Sequence, residues 1–256
     1  MTGSLDGRHA LITGGGRGIG AAIANALIAH GARVTLLGRD RPRLEATSRD
    51  LAGSSTVVVA DVADRGQVAG AFAAARAEFG EIDILVNNAG QATSAPLART
   101  DEALFSRMLS VNLTGSYHCV HEAAPAMIAR RFGRIVNVAS TAGLIGYAYC
   151  AAYCAAKHGV VGLTRALAIE FAAHNVTVNA VCPGFTNTEL VHETLASIQK
   201  KTGRSEAEAL AALVAHNPQR RLIQPAEVAN AVTWLCLPGA ESMTGQSVAV
   251  AGGEVS

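Results

Sequence analysis

Tyr153 and Lys157, in the stretch "YAYCAAYCAAKHG", are the residues whose types and spacing first suggest chemistry. On a helix, side chains four apart share a face, so the lysine ammonium would stand one turn beyond the phenol. A neighbouring cation favours phenolate and lowers a pKa that is about 10 when unperturbed. Tyr153 thus becomes a candidate proton donor near neutral pH. Tyr147 and Tyr149 have no such partner: four residues on from them lie Ala151 and Tyr153. The same spacing also suits an ordinary helix, so it needs a reaction supplied from elsewhere in the chain.

The segment "ITGGGRGIGAAIANAL" offers one, with Gly14, Gly18 and Gly20 spaced as GxxxGxG. It lies between a β-branched run and an amphipathic stretch. Glycines there let the backbone approach a pyrophosphate, and the helix start presents free amides to it. The next β-branched run ends "TLLGRD". An acid at that end would bind the ribose 2′-hydroxyl of NAD and repel a 2′-phosphate. Here Gly38 leaves room, and Arg39 with Arg17 offers guanidinium groups suited to phosphate. Asp40 argues the other way. The pattern predicts NADP(H) in preference to NAD(H).

The elements that must position these residues follow from composition and periodicity. The chain has 256 residues, half of them hydrophobic and only 4% aromatic, with a formal net charge of +1. That length suits one large α/β domain, and the charge argues against a broad nucleic-acid surface. The five cysteines form no CxxC pair or metal-ligand pattern, which suits reduced thiols in a cytoplasmic protein. "MTGSLDGRHALITG" does not read as a signal peptide, and no apolar run is long enough to span a membrane. Strands are expected at 9–14, 33–38, 55–61, 83–90, 133–140, 176–184 and 246–253, with helices between them. Alternation of this kind implies a doubly wound, Rossmann-type α/β fold: a mostly seven-stranded parallel sheet covered on both faces. One interrupted helical segment, 188–221, departs from the alternation. Ser205 and Glu208 should form a capping box inside it, and its place after a strand end suggests a substrate lid on a single domain.

Taken in order, the motifs resemble the short-chain dehydrogenase/reductase family from about His9 to Gly253. They are "TGGGRGIG" (Thr13 to Gly20), Asp61 with Val62, "NNAG" (Asn87 to Gly90), Asn112, Ser140, "YCAAK" (Tyr153 to Lys157) and "PGFTNT" (Pro183 to Thr188). Ser140 lies thirteen residues before Tyr153, as in the family. The resemblance implies that Tyr153 exchanges a proton with a substrate oxygen and that Ser140 hydrogen-bonds that oxygen. Lys157 would lower the Tyr153 pKa and hold the nicotinamide ribose, with Asn112 continuing a proton relay through water. Hydride transfer needs no metal. Thr13, Gly14, Arg17, Gly18, Ile19 and Gly20 would cradle the cofactor. Arg39, Asp61, Val62, Asn88, Ala89 and Gly90 would line its adenosine side, although either asparagine of "NNAG" could be purely structural. Pro183, Gly184, Thr186 and Thr188 would meet the nicotinamide end. Ala251 departs from the family, which often has an acid before the paired glycines, and should affect a turn or subunit contact.

"GRIVNVASTAG", "AAKHGVVGLTRAL" and "VTVNAVCPGF" are further similar to ketoreductases of 3-oxoacyl thioesters and polyketide chains. That likeness implies a β-oxo thioester on coenzyme A or acyl carrier protein, with Lys200, Lys201, Arg204, Arg220 and Arg221 as a face for an anionic carrier. A solvated charged surface explains the same five residues. Substrate choice should lie in 91–97, 144–149 and 185–221. A catabolic dehydrogenase of a free secondary alcohol or hydroxyacyl-CoA is the rival enzyme, and a non-catalytic dinucleotide sensor the rival class. Small residues near the site helices (Gly115, Ala123, Ala155, Gly159), with the family likeness, suggest a homodimer or homotetramer.

Overall fold

The computed structural model describes residues 3–255, without the side chains of Ser197, Ile198 and Lys201. Strands β1 (His9–Thr13), β2 (Arg33–Gly38), β3 (Ser55–Val59), β4 (Ile84–Asn87), β5 (Gly133–Val138), β6 (Val176–Pro183) and β7 (Ser247–Val250) form one sheet. Their spatial order is β3-β2-β1-β4-β5-β6-β7, and every pairing is parallel. Ile12 of β1 pairs with Leu36 on one side and Val86 on the other. The chain reverses its direction of winding between β1 and β4, where open sheets of this kind form a ligand crevice.

Burial explains the strand sequences. β1, β4, β5 and β6 are buried along their whole length, as apolar runs with helices on both faces must be. β3 and β7 are edges and only partly covered. The four helices after β1, β2, β3 and the β4 loop are α1 (Gly18–Ala29), α2 (Arg41–Asp50), α3 (Arg65–Phe79) and α4 (Glu102–Leu109). Then come α5 (Gly115–Arg130), α6 (Ala151–Phe171), α7 (Glu189–Thr202), α8 (Glu206–Leu213) and α9 (Pro225–Cys236). Ile23 and Leu27 of α1 meet Val228, Val232 and Leu235 of α9 on one face of the sheet. Phe72 of α3, Cys119 and Met127 of α5 and Phe171 of α6 fill the other. A groove of about 420 Å³ runs between α1 and α9 and includes the half-exposed Trp234.

Local signals start and stop these helices. Asp40, Asp64 and Asp101 cap α2, α3 and α4 by accepting from the backbone amides of Arg43, Gln67 and Leu104. The expected capping box is present: Ser205 and Glu208 open α8, and Val191 and Leu195 of α7 pack on Ala209. All seven expected strands form, several ending one to three residues early where the chain turns into the crevice. Asn112 lies in a π turn, Ser110–Thr114, that joins α4 to α5. No helix among the described residues is long and apolar enough to cross a membrane.

Candidate active site

The glycine loop joins β1 to α1 at the carboxyl end of the sheet. Gly14 has a positive φ of 66°, and a Cβ there would stand 2.9 Å from Asn88 Nδ2. A Cβ on Gly20 would collide with the Gly14 carbonyl oxygen. These positions demand glycine because loop, helix and the β4 end converge. Thr13 Oγ1 accepts from the amides of Asn88 and Ala89 at 3.0 and 2.9 Å. The Asn88 amide donates to the carbonyls of Thr13 and Gly14, and Asn87 Nδ2 donates to Asn137 Oδ1 at 2.9 Å. Both asparagine side chains therefore tie strands together, leaving backbone at Asn88, Ala89 and Gly90 to line the crevice. Thr13 likewise turns its hydroxyl to the protein.

At the β2 end the charges are more elaborate than the sequence suggested. Arg39 Nη1 lies 3.6 Å from Asp61 Oδ2, whose other oxygen accepts from the Ala63 amide. Asp40, the counterargument to a phosphate site, is the α2 cap and holds Arg43 Nε at 3.2 Å. Arg17 and Arg43 both reach Glu189, the first residue of α7, and hold its carboxyl below the usual carboxylate range. Neither Arg43 nor Glu189 stood out in the sequence, since their meeting depends on α2 and α7 folding against the glycine loop. Val62 is 6% exposed, with its side chain against Gly115, so little of it faces the crevice.

The proton-handling groups gather beyond β5. Ser140 follows that strand and accepts from the Ala142 amide at 3.1 Å. Tyr153, on the first turn of α6, lies beside Ser140, whose hydroxyl favours its phenolate. Lys157, buried one turn on, donates from Nζ to the Val138 carbonyl at 2.9 Å, with Nζ 5.8 Å from the Tyr153 ring centroid. The expected lowering of the phenol pKa is not what these surroundings produce. Although the residue as a whole is half-buried, desolvation around its hydroxyl pushes the pKa up to about 12, and the neighbouring Ser140 opposes it only in part. The ammonium points at a carbonyl instead of the phenol oxygen, and burial pulls its own pKa down to about 8. Cys182 of β6 is a buried neighbour of both Ser140 and Lys157, and burial raises its thiol pKa to about 11.

Asn112 sits where expected but engages differently. Its Oδ1 accepts from Gln91 N at 3.1 Å, and its Nδ2 donates to the carbonyls of Gln91 and Met108, both at 3.0 Å. A Cβ on Gly90 would stand 2.8 Å from Asn112 Oδ1 and 3.7 Å from Lys157 Nζ. The π turn thus presses Asn112 and Lys157 against one glycine wall.

The remaining wall comes from the β6 end and the C-terminal residues. The amide of Gly184, just after Pro183, donates to the Val250 carbonyl at 3.1 Å, and Thr186 turns its hydroxyl back to the Gly184 carbonyl. Thr188 lies against Gly18 of the glycine loop, next to Ile19. A cavity of about 250 Å³ is lined by Ile145, Gly146, Tyr147, Ala148, His216 and Glu254. Tyr147 donates to Glu254 Oε1 at 2.6 Å, meets Thr141 Oγ1 at 2.7 Å and stacks edge-on with Phe185. Burial, then Glu254, raises its phenol pKa. Ala251 is buried in this turn, and the acid missing there reappears three residues later as Glu254. The Ala95 amide donates to the Tyr149 carbonyl, joining two of the expected substrate segments.

The charged face expected for a carrier is partly engaged elsewhere. Arg221 donates two hydrogen bonds to the Glu227 carboxylate at 2.6 and 2.7 Å, and Arg220 donates to the Ala215 carbonyl. The Lys201 side chain lies outside the described residues. The small residues expected at a subunit contact also pack within the chain: a Cβ on Gly159 would meet Leu113 at 2.7 Å.

Comparison with known proteins agrees with this geometry. The short chain dehydrogenase family model matches residues 8–199. The chain belongs to that family. This dehydrogenase is 42% identical over 252 residues to a Streptomyces violaceoruber protein named as a ketoacyl reductase of granaticin polyketide synthase, covering 95% of this chain and 92% of the other. It is 36% identical to the 3-oxoacyl-acyl-carrier-protein reductase of Haemophilus influenzae, covering 97% and 98%. A crystal structure of a variant actinorhodin polyketide ketoreductase with NADPH superposes with a TM-score of 0.94, at 36% identity and 99% coverage of both chains. The dehydrogenase is thus an oxidoreductase of CH–OH groups, close to polyketide and 3-oxoacyl ketoreductases.

Proposed function

We propose that this dehydrogenase reduces a 3-oxoacyl thioester, carried on coenzyme A or acyl carrier protein, to the 3-hydroxy form with NADPH. The observation that carries the reading is Tyr153 beside Ser140, with buried Lys157 one helical turn away and its Nζ 5.8 Å from the Tyr153 ring centroid. The glycine loop fits a dinucleotide because glycine at positions 14 and 20 lets it close tightly against the β4 end, so that it turns into the amino end of α1, where free helix amides suit a pyrophosphate. Thr13 to Gly20 hold the pyrophosphate side, and Arg17 and Arg39 the 2′-phosphate. Asp61, Val62 and the backbone of Asn88, Ala89 and Gly90 border the adenosine. Pro183, Gly184, Thr186 and Thr188 border the nicotinamide.

Bound there, the nicotinamide supplies or accepts hydride. Tyr153 gives a proton to the carbonyl oxygen, and its raised pKa keeps that proton in place at neutral pH. Ser140 donates a hydrogen bond to the same oxygen and stabilises its growing negative charge. Lys157 holds the ribose hydroxyls and steadies phenolate as it forms. Asn112 is a positioning residue whose amide holds Gln91 and keeps the Gly90 wall against Lys157. The Glu254 carboxylate in the adjoining cavity favours a neutral thioester over a free hydroxy acid, whose carboxylate it would repel.

The test is NADPH and NADH oxidation with acetoacetyl-CoA beside free acetoacetate and simple ketones. The expected result is preference for NADPH and for the thioester. Tyr153→Phe should lose at least about a thousandfold in kcat while binding NADPH normally. Turnover near wild type in that variant, or preference for acetoacetate, would remove the reading. We further propose a cytoplasmic homo-oligomer, dimer or tetramer, to be checked by sedimentation.

A further inference from the structure

One atom of the lid segment occupies a place suited to an anionic ligand. Glu189 Oε2 accepts from Arg17 Nη1 and, at 2.9 Å, from Arg43 Nη1. Arg17 comes from the glycine loop, Arg43 from the first turn of α2 and Glu189 from the start of α7, so the partners are 172 and 146 residues apart. The contact caps neither helix: Asp40 caps α2, and the Glu189 carboxylate bonds to the two arginines and not to the first amides of α7. The three side chains are 47%, 50% and 56% exposed, where ion pairs add little to stability. What the arrangement does provide is two guanidinium groups aimed at a single oxygen, one of them on α2, which directly follows the β2 end at Gly38. Such a pair binds phosphate as readily as carboxylate.

We propose that Glu189 is a cofactor-discriminating residue: its carboxylate occupies the Arg17–Arg43 pair as an internal substitute for the 2′-phosphate of NADP(H), which must displace it to bind. The proposal rests on the reading that the 2′-phosphate lies at the β2 end. It adds Arg43 to that subsite and gives Glu189 an opposing role. Glu189 weakens the phosphorylated cofactor selectively, because NAD(H) carries no group that needs those two donors. Its carboxyl, held below the usual range by both arginines, stays ionised at every ordinary working pH. The competition is therefore always present, and it narrows the gap between the two cofactors.

The experiment titrates wild type and Glu189→Gln with NADPH and with NADH at fixed ionic strength, following the emission of the reduced nicotinamide. Glutamine keeps the volume and removes the competing charge. Expected is a Kd for NADPH lower by about tenfold, with the NADH value within about twofold of wild type. Adding Arg43→Gln to that variant should abolish the gain. Equal tightening of both cofactors would overturn the proposal, because the carboxylate would then oppose the shared pyrophosphate. Unchanged binding of both would overturn it too, reducing the cluster to a surface ion pair. If wild type prefers NADH yet Glu189→Gln still gains only for NADPH, the role of Glu189 stands and the NADP(H) preference falls. A general loosening of the fold would weaken both cofactors together and lower the melting temperature, a pattern that also counts against the proposal.

Discussion

Lys157 shows the cost of preparing a charged group for chemistry. Its pKa falls from 10.5 to about 8 on burial, which at about 1.4 kcal/mol per pH unit is a penalty of roughly 3 kcal/mol for keeping it charged in the folded protein. The sign follows from the depressed value. The penalty is complete below pH 8 and is relieved as pH rises from 8 towards 10.5, where the unfolded chain still holds its proton. Lys157→Met removes it. That variant should be inactive, and its stability relative to wild type should fall by about 3 kcal/mol between pH 7 and pH 10.5, measured by urea unfolding. A constant difference across that range would show that the lysine is not destabilised by burial. The Tyr153–Lys157 pairing was legible from spacing alone, but the direction of the phenol shift was not. Spacing places two groups on one face and says nothing about the Val138 carbonyl that turns the ammonium aside.

At the scale of elements, strands and caps could be read because their causes are local. Alternating β-branched runs gave seven strands, and Ser205 with Glu208 gave a capping box. Contacts between distant elements could not be read in this way. The Arg43–Glu189 pair, the Tyr147–Glu254 pair and the π turn at Asn112 all depend on which segments meet. Gly90 is where such a meeting leaves no space. Gly90→Ala would drive a methyl group against Asn112 Oδ1, which Gln91 N holds in place. We expect a loss of about 1–3 kcal/mol in stability and at least about a tenfold fall in kcat, since a small displacement of a positioned group is costly to rate. Thermal melts and steady-state kinetics check this, and unchanged kcat would detach the glycine wall from catalysis.

Over the whole molecule, the two rims of the sheet do different work. The candidate site groups lie beyond the carboxyl ends of the strands. Near the amino ends, Asp83 accepts from His9 N at 3.0 Å and Arg130 Nη1 at 2.7 Å, with Arg8 at 3.4 Å, while Arg8 also lies over the Phe132 ring. This rim fastens β1, β4 and α5 to one another. Asp83→Asn should therefore lower stability by about 2–3 kcal/mol and leave kcat unchanged in the folded enzyme. A fall in kcat at a temperature well below the melt would contradict that separation. The fold was legible because parallel strands between helices admit few arrangements, whereas substrate choice was not, since it rests on loops and the C-terminal turn.

The single tryptophan, Trp234, lies in the outer groove between α9 and α1. Its intrinsic emission therefore watches the seam between two covering helices, while a reduced nicotinamide reports from the crevice under its own light. In the protein without cofactor, loss of helix docking on that face of the sheet can be followed by this one residue's emission.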